Sequence, residues 1–291
     1  MPEISRGTIT ANDIEFAFLE CGAGPLALCL HGYPDTAHTY RHLLPDLAAA
    51  GFRAVAPFNR GYAPTSLAPD GAYECGALGS DADALHAALG ADSSAVVIGH
   101  DWGALGAYSA ASLQPGNWRR VVAMAVPPGP VAAAGYLEVD QLKLSWYLFF
   151  QLHPLADLVV PADDHAYIAR LWADWSPGYD GSTDVAHFIE AIPDPDRLSA
   201  ALNYYRHTLN PALQSPRYAA AQAASLAIPP QPLLYLHGTD DGCMSATIAA
   251  RTADHLRDDG SACELVEDAG HFLHLEKPAV VNRRIVEFLS A

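Results

Sequence analysis

One segment places a carboxylate where a nucleophile would be most exposed. In Val96-Val97-Ile98-Gly99-His100-Asp101-Trp102-Gly103-Ala104, an apolar strand runs through a tight turn straight into a helix. Small residues on either side of such a turn let strand and helix approach closely and force the central side chain outward. Serine is the usual occupant, but Ser109 and Ser112 lie inside the following helix and Asp101 holds the turn. A carboxylate can displace a leaving group at an sp³ carbon and become an alkyl ester, which water then hydrolyses. That chemistry opens a carbon–oxygen bond of an epoxide or breaks a carbon–halogen bond. The competing use of Asp101 is as a helix N-cap, a common role for Asp at a strand-to-helix junction.

Ester hydrolysis needs a base to activate water. Gly270-His271-Phe272 follows a strand and precedes the last helix, so His271 sits on a late loop and is the expected base. His274 is its rival, nearer the helix start. An imidazole base needs a carboxylate to fix its tautomer. The strand Leu233–His237 ends in Gly238-Thr239-Asp240-Asp241-Gly242, where Asp241 is the expected acid and Asp240 the alternative. The order nucleophile, acid, histidine is that of the hydrolase triads. Hydrolysis also passes through an oxyanion. The loop His31-Gly32-Tyr33-Pro34 follows the first parallel strand, and the amides of Tyr33 and Trp102 are the expected donors. His31 is placed beside the substrate. Taken structurally, His-Gly-x-Pro is simply a tight turn.

Those loops need a scaffold. The 291 residues suit one large domain or one domain with an insertion, and 51% hydrophobic residues supply a core. Gly7–Thr10 and Ile14–Leu19 read as a hairpin. Strands at 26–31, 52–57, 95–99, 121–126, 232–237 and 263–266 then alternate with helices at 39–50, 80–89, 104–113, 246–257 and 279–289. Such alternation predicts a mostly parallel sheet flanked by helices on both faces. From about Pro127 to Gln222 the pattern lapses into an aromatic-rich segment without short β-branched runs, read as a helical insertion. Placed at the carboxyl end of a parallel sheet, it would roof the ligand site. The expected division is core at 1–127, cap at 128–222 and core again at 223–291.

The formal charge of −17 disfavours nucleic acid, anionic membranes and small anionic substrates. Five cysteines without C-x-x-C spacing indicate neither a disulfide framework nor a zinc site, and suggest reduced, cytoplasmic thiols. The N-terminal residues lack the apolar core of a signal peptide. The longest apolar stretch, 142–160, is too interrupted by polar residues to span a bilayer.

With these motifs in place, the sequence resembles the α/β-hydrolase superfamily, in its epoxide hydrolase and dehalogenase branch. The resemblance rests on His31-Gly32-Tyr33-Pro34, Arg60-Gly61-Tyr62, Gly99-His100-Asp101-Trp102-Gly103, Gly238…Asp241 and Gly270-His271-Phe272, and covers nearly the whole chain. It implies an α/β-hydrolase fold with a helical cap inserted after the sixth strand, no cofactor and no metal. The implied partners are a small neutral hydrophobic substrate and water, with a homodimer compatible with the family. The family also uses cap tyrosines as donors to the epoxide oxygen. Asn203-Tyr204-Tyr205-Arg206 resembles one such motif, with Tyr205 at the tyrosine position. Ser145-Trp146-Tyr147-Leu148-Phe149-Phe150-Gln151 resembles the other, but counting back from Gln151 puts Trp146 at the tyrosine position. Either Trp146 donates through its indole, or the register differs and Tyr147 serves. A phenol can protonate the alkoxide of an opened epoxide, whereas an indole N–H can only hydrogen-bond. Trp102 and Trp146 together could instead cradle a halide, the pattern of a haloalkane dehalogenase. Trp102 and Leu105 stand where haloacetate dehalogenases carry arginines, which argues against haloacids. A third reading is a ligand-binding protein on this fold that does no chemistry.

Overall fold

The computed structural model describes residues 3–291. A single eight-stranded sheet has the order β1-β2-β4-β3-β5-β6-β7-β8. β1 (Ser5–Ala11) and β2 (Ile14–Cys21) form the expected hairpin, which joins the sheet antiparallel to β4. The rest pair in parallel: β3 (Leu26–Leu30), β4 (Arg53–Pro57), β5 (Val96–His100), β6 (Arg120–Met124), β7 (Leu233–Gly238) and β8 (Ala262–Val266). Every residue of β3, β5 and β7 is buried. Helices cover both faces of a parallel sheet, so its central strands are continuous apolar runs rather than alternating ones.

Early in the chain come α1 (Leu43–Ala49), α2 (Cys75–Ala88) and α3 (Trp102–Leu113). The single helix expected over 39–50 is two pieces, a 3₁₀ turn at Ala37–Tyr40 followed by α1. Pro45 lies in the first turn of α1, where a missing N–H leaves no helical bond unmade. α2 begins five residues before the expected Ser80. Gly76 and Gly79, which weaken the helical signal, sit where a Cβ would meet Gln222 N at 2.4 Å and Ser109 Oγ at 2.1 Å. They permit close packing of α2 on its neighbours.

Only helices lie between β6 and β7. They are α4 (Gly129–Gly135), α5 (Val139–Leu144), α6 (Trp146–Leu152), α7 (Ala156–Val159), α8 (Ala166–Trp175), α9 (Ser182–Ala191), α10 (Pro195–Leu209) and α11 (Ala219–Ala224). α10 starts on a strong signal: the Asp194 carboxylate accepts from Arg197 N at 2.9 Å, and Pro195 opens the helix. α11 leans on the core helices, its Ala221 carbonyl accepting from Ser109 Oγ. After β7 come α12 (Ala246–Ala249), α13 (Leu273–Glu276) and α14 (Pro278–Ser290). The helix expected over 246–257 is α12 followed by a 3₁₀ segment, Ala250–His255. Among the described residues, no helix is long and apolar enough to cross a membrane; the stretch 142–160 divides among α5, α6 and α7.

A buried ion pair ties the loop after β4 to α2, and that loop in turn meets the inserted helices. Arg60 grips Asp81 through Nε (2.6 Å) and Nη2 (2.5 Å) and donates to the Ala72 carbonyl. The hydroxyl of Tyr204, on α10, donates to the Arg60 carbonyl at 3.0 Å.

Candidate active site

Asp101 joins β5 to α3 at φ 52°, ψ −119°, a conformation costly for any residue with a side chain. The surrounding glycines leave no room for relaxation. A Cβ on Gly99 would lie 2.1 Å from Gly103 O, and one on Gly103 would lie 1.9 Å from Leu30 O. The Asp101 side chain makes no capping bond to α3, so the N-cap use is not realised. Its Oδ1 instead accepts from Tyr33 N–H at 2.9 Å. The Trp102 N–H opens α3, one of the amides a helix leaves without an internal partner.

His271 stands opposite. Its Nδ1 is 3.0 Å from Asp241 Oδ2, and its Nε2 is 3.7 Å from Asp101 Oδ2. That Nε2 is buried without a hydrogen-bond partner. Asp241 Oδ1 is fixed by the amides of Cys243 (2.7 Å) and Met244 (3.1 Å). Burial works against the Asp241 charge, but His271, His237 and these amides hold its carboxyl below the usual range. Burial likewise opposes charge on His271, yet Asp241 and Asp101 carry its pKa well above the ordinary histidine value. The alternatives separate cleanly. Asp240 sits at the surface against Thr239, and the His274 ring nitrogen bonds Thr39 Oγ1 away from Asp101.

The inserted helices hold this arrangement together. The Trp175 carbonyl at the end of α8 accepts from Gly242 N (3.2 Å) and His271 N (2.9 Å), joining the acid loop to the base loop. Trp172 stacks on Phe272 at 3.4 Å, and its indole donates to Pro34 O. No sequence pattern singles out these two tryptophans.

A cavity of about 40 Å³ opens over Asp101. Tyr205 and Tyr147 face it from α10 and α6, with Trp102, Tyr136 and Cys243 at its sides. The Tyr205 ring packs edge-on to Trp102 (4.7 Å), Tyr33 (5.2 Å) and Tyr147 (6.0 Å). Its hydroxyl has no hydrogen-bond partner among the described residues. Burial and the Asp101 charge push the phenols of Tyr205 and Tyr147 well above their usual pKa, so both are protonated donors. The Tyr147 hydroxyl lies 2.9 Å from Cys243 Sγ.

Two expected substrate contacts are corrected. Trp146 is 45% exposed and packs against Phe150 and Tyr167, outside the cavity. A break at Ser145 between α5 and α6 sets the helical phase that turns Tyr147, not Trp146, inward. His31 is also absent from the cavity. Asn59 N–H donates to its Nε2 at 3.0 Å, so its Nδ1 carries the proton and donates to Gly32 O at 2.9 Å. Burial lowers its pKa to about 4, and the neutral ring serves as a brace for the loop. Tyr136 and Cys243 line the cavity without any motif to mark them.

A family profile described as alpha/beta hydrolase fold matches residues 25–278. The chain belongs to that family. It is 30% identical over 273 residues to the AB hydrolase superfamily protein YfhM of Bacillus subtilis, covering 92% of this chain and 91% of that protein. It is 28% identical to Epoxide hydrolase A of Mycobacterium tuberculosis, covering 97% and 96%. Among solved structures, an epoxide hydrolase from an endophytic Streptomyces superposes with a TM-score of 0.78 at 26% identity, over 98% of this chain and 95% of that one.

Proposed function

We propose that the protein is an epoxide hydrolase working through a covalent Asp101 ester. The observation that carries this reading is the unpartnered, buried His271 Nε2 set 3.7 Å from a carboxylate whose other oxygen already sits on an amide. Asp101 Oδ2 attacks the less hindered epoxide carbon, and that carbon–oxygen bond of the ring breaks. The departing alkoxide takes a proton from Tyr205 or Tyr147. Positioned proton donation of this kind contributes roughly 10²–10⁴-fold. His271 then takes a proton from water, whose oxygen adds to Cγ of the ester. The negative charge develops on Oδ1, where the Tyr33 and Trp102 amides stabilise it. The Cγ–Oδ2 bond breaks and the His271 imidazolium protonates Oδ2 as it leaves on the vicinal diol; the oxygen of water stays on Asp101, and the second proton of that water passes from the new carboxyl to the tyrosinate, which restores the resting state. His271 keeps the geometry of a base because Asp241 holds its Nδ1–H.

Apolar walls and the acidic chain favour a small neutral substrate. The dehalogenase reading asks for two indole donors; with Trp146 on the outer face, only Trp102 is left for a halide. We also assign the core to 1–127 and 223–291 and the cap to 128–222, with α11 at the seam. A turnover assay with styrene oxide and 1-bromobutane tests the reading. Diol without bromide, lost in Asp101→Asn, is expected. Bromide without diol would move the assignment to a dehalogenase, and a bound but unchanged epoxide would make the chain a binding protein.

A further inference from the structure

Behind His271 lies a second buried cluster that the proposed reaction does not use. A nitrogen of His100, a nitrogen of His274 and a carboxylate oxygen of Asp35 lie within 4.8 Å of one another, all three residues buried. The two imidazole rings are 4.6 Å apart. Three atoms here have no hydrogen-bond partner: Asp35 Oδ2, His100 Nδ1 and His274 Nδ1. Buried polar atoms rarely go unpaired, so three in one place require an account.

Donor and acceptor accounting supplies one. His100 Nε2 lies 2.9 Å from the His271 carbonyl, which can only accept, so the His100 proton is on Nε2. Its Nδ1 is therefore a bare lone pair. His274 Nε2 engages Thr39 Oγ1 at 2.5 Å. Asp35 Oδ1 accepts from Thr36 N at 2.7 Å. With Asp35 ionised, the cluster holds two bare acceptors, Asp35 Oδ2 and His100 Nδ1, against at most one donor, a proton on His274 Nδ1, so at least one acceptor stays unpaired. A single added proton removes the conflict, by turning Oδ2 into a donor toward a ring nitrogen. The groups facing Asp35 do not undo this. Asp184 repels its charge, Arg41 and Thr39 favour it, and Tyr40, Tyr62, His100 and His274 are the remaining titratable neighbours.

We infer that Asp35 is held as the neutral carboxylic acid, its proton shared with His100 or His274, and that this network positions His271 through the His100-to-His271 carbonyl hydrogen bond. Asp35, His100 and His274 are thus positioning residues rather than groups that meet the substrate. The positioning half rests on His271 being the base; the protonation half does not. Burial and Asp184 carry the Asp35 pKa from 3.8 to about 8, in agreement. The folded chain then binds one more proton than the unfolded chain between those values, so stability falls as pH rises through that window and levels off above it.

Three measurements on the full chain test this. Infrared difference spectra at pH 7 should show a carboxylic-acid C=O stretch in the wild type that Asp35→Asn lacks; identical spectra overturn the neutral acid. Asp35→Asn cannot ionise, so its Tm relative to wild type should climb by about 5 °C or more from pH 5 to pH 8 and then stay level. A gap that stays constant or narrows across that range overturns it equally. For positioning, His100→Leu should lower kcat about tenfold at unchanged KM, and His100→Gln, whose amide still donates to the carbonyl, should recover most of the loss. The downfield imidazole proton of His271 should also shift in His100→Leu by NMR, a readout that needs no turnover. A normal kcat, or an unmoved resonance where no substrate turns over, refutes the positioning role.

Discussion

At the scale of single residues, the proposed chemistry turns on which atoms are free. His271 Nε2, the Tyr205 hydroxyl and the Trp102 indole N–H lie around Asp101 without hydrogen-bond partners among the described residues, and the first two each support a prediction. Tyr205→Phe removes one proton donor and should lower kcat roughly 10²–10⁴-fold with epoxide, while Tyr147→Phe should cost activity as well. Trp146→Ala should leave kcat/KM within about twofold, because the side chain packs on the outer surface. Steady-state kinetics on the three variants checks the set, and a large loss in Trp146→Ala would contradict the assignment of helical phase. The His271 pKa adds a pH prediction. In the resting enzyme two carboxylates favour its protonated form. Alkylation removes the Asp101 charge, lowers the His271 pKa and so frees the base. Hydrolysis of the ester should therefore slow as falling pH protonates His271, while alkylation slows less. Stopped-flow single turnovers separate the two steps.

At the scale of elements, the site was legible wherever a short local pattern dictates the backbone. The turn around Asp101 could be read because Gly99 and Gly103 are required by contacts of 2.1 and 1.9 Å that only a missing Cβ permits. Gly103→Ala should accordingly destabilise the fold by about 3 kcal/mol or more, read as a lowered urea midpoint. Asp241 and His271 were legible from the loops that end β7 and β8. Tyr205 was legible through its motif. What the sequence hid depends on tertiary placement. The phase of α6 is set by a break at Ser145 that no proline or glycine announces. Tyr136 and Cys243 reach the cavity through packing, and the bond from Trp175 O to both loops joins residues 67 and 96 positions apart in the chain. His31 misled because one residue type serves equally as a substrate contact and as a brace for a loop, and only the Asn59 amide decides between them. Strand and hairpin positions came through well, whereas the helices at 39–50 and 246–257 each contain a 3₁₀ piece that apolar spacing does not distinguish.

At the scale of the molecule, chemistry requires the inserted helices and the sheet to act as one body, since Asp101, His271 and Asp241 come from strand ends while Tyr147 and Tyr205 come from the helices above. Buried hydrogen bonds tie them together: the Tyr204 hydroxyl to the carbonyl of Arg60, whose guanidinium is itself locked to Asp81, the Trp172 indole to Pro34 O, and the His271 amide to Trp175 O. Arg60→Ala would strand the Asp81 charge in the interior, so it should cost about 3–5 kcal/mol, visible as a lower Tm by calorimetry. The same assembly leaves a small space over Asp101, in which the proposed two-step reaction has water act only after the ester has formed. A single turnover in ¹⁸O-labelled water tests that order most directly. With enzyme in excess over epoxide, the diol should carry no label and the peptide containing Asp101 should become heavier by one isotopic substitution. Label in the diol from the first turnover, with an unlabelled Asp101, would mean that water attacks the epoxide itself and would contradict the covalent ester.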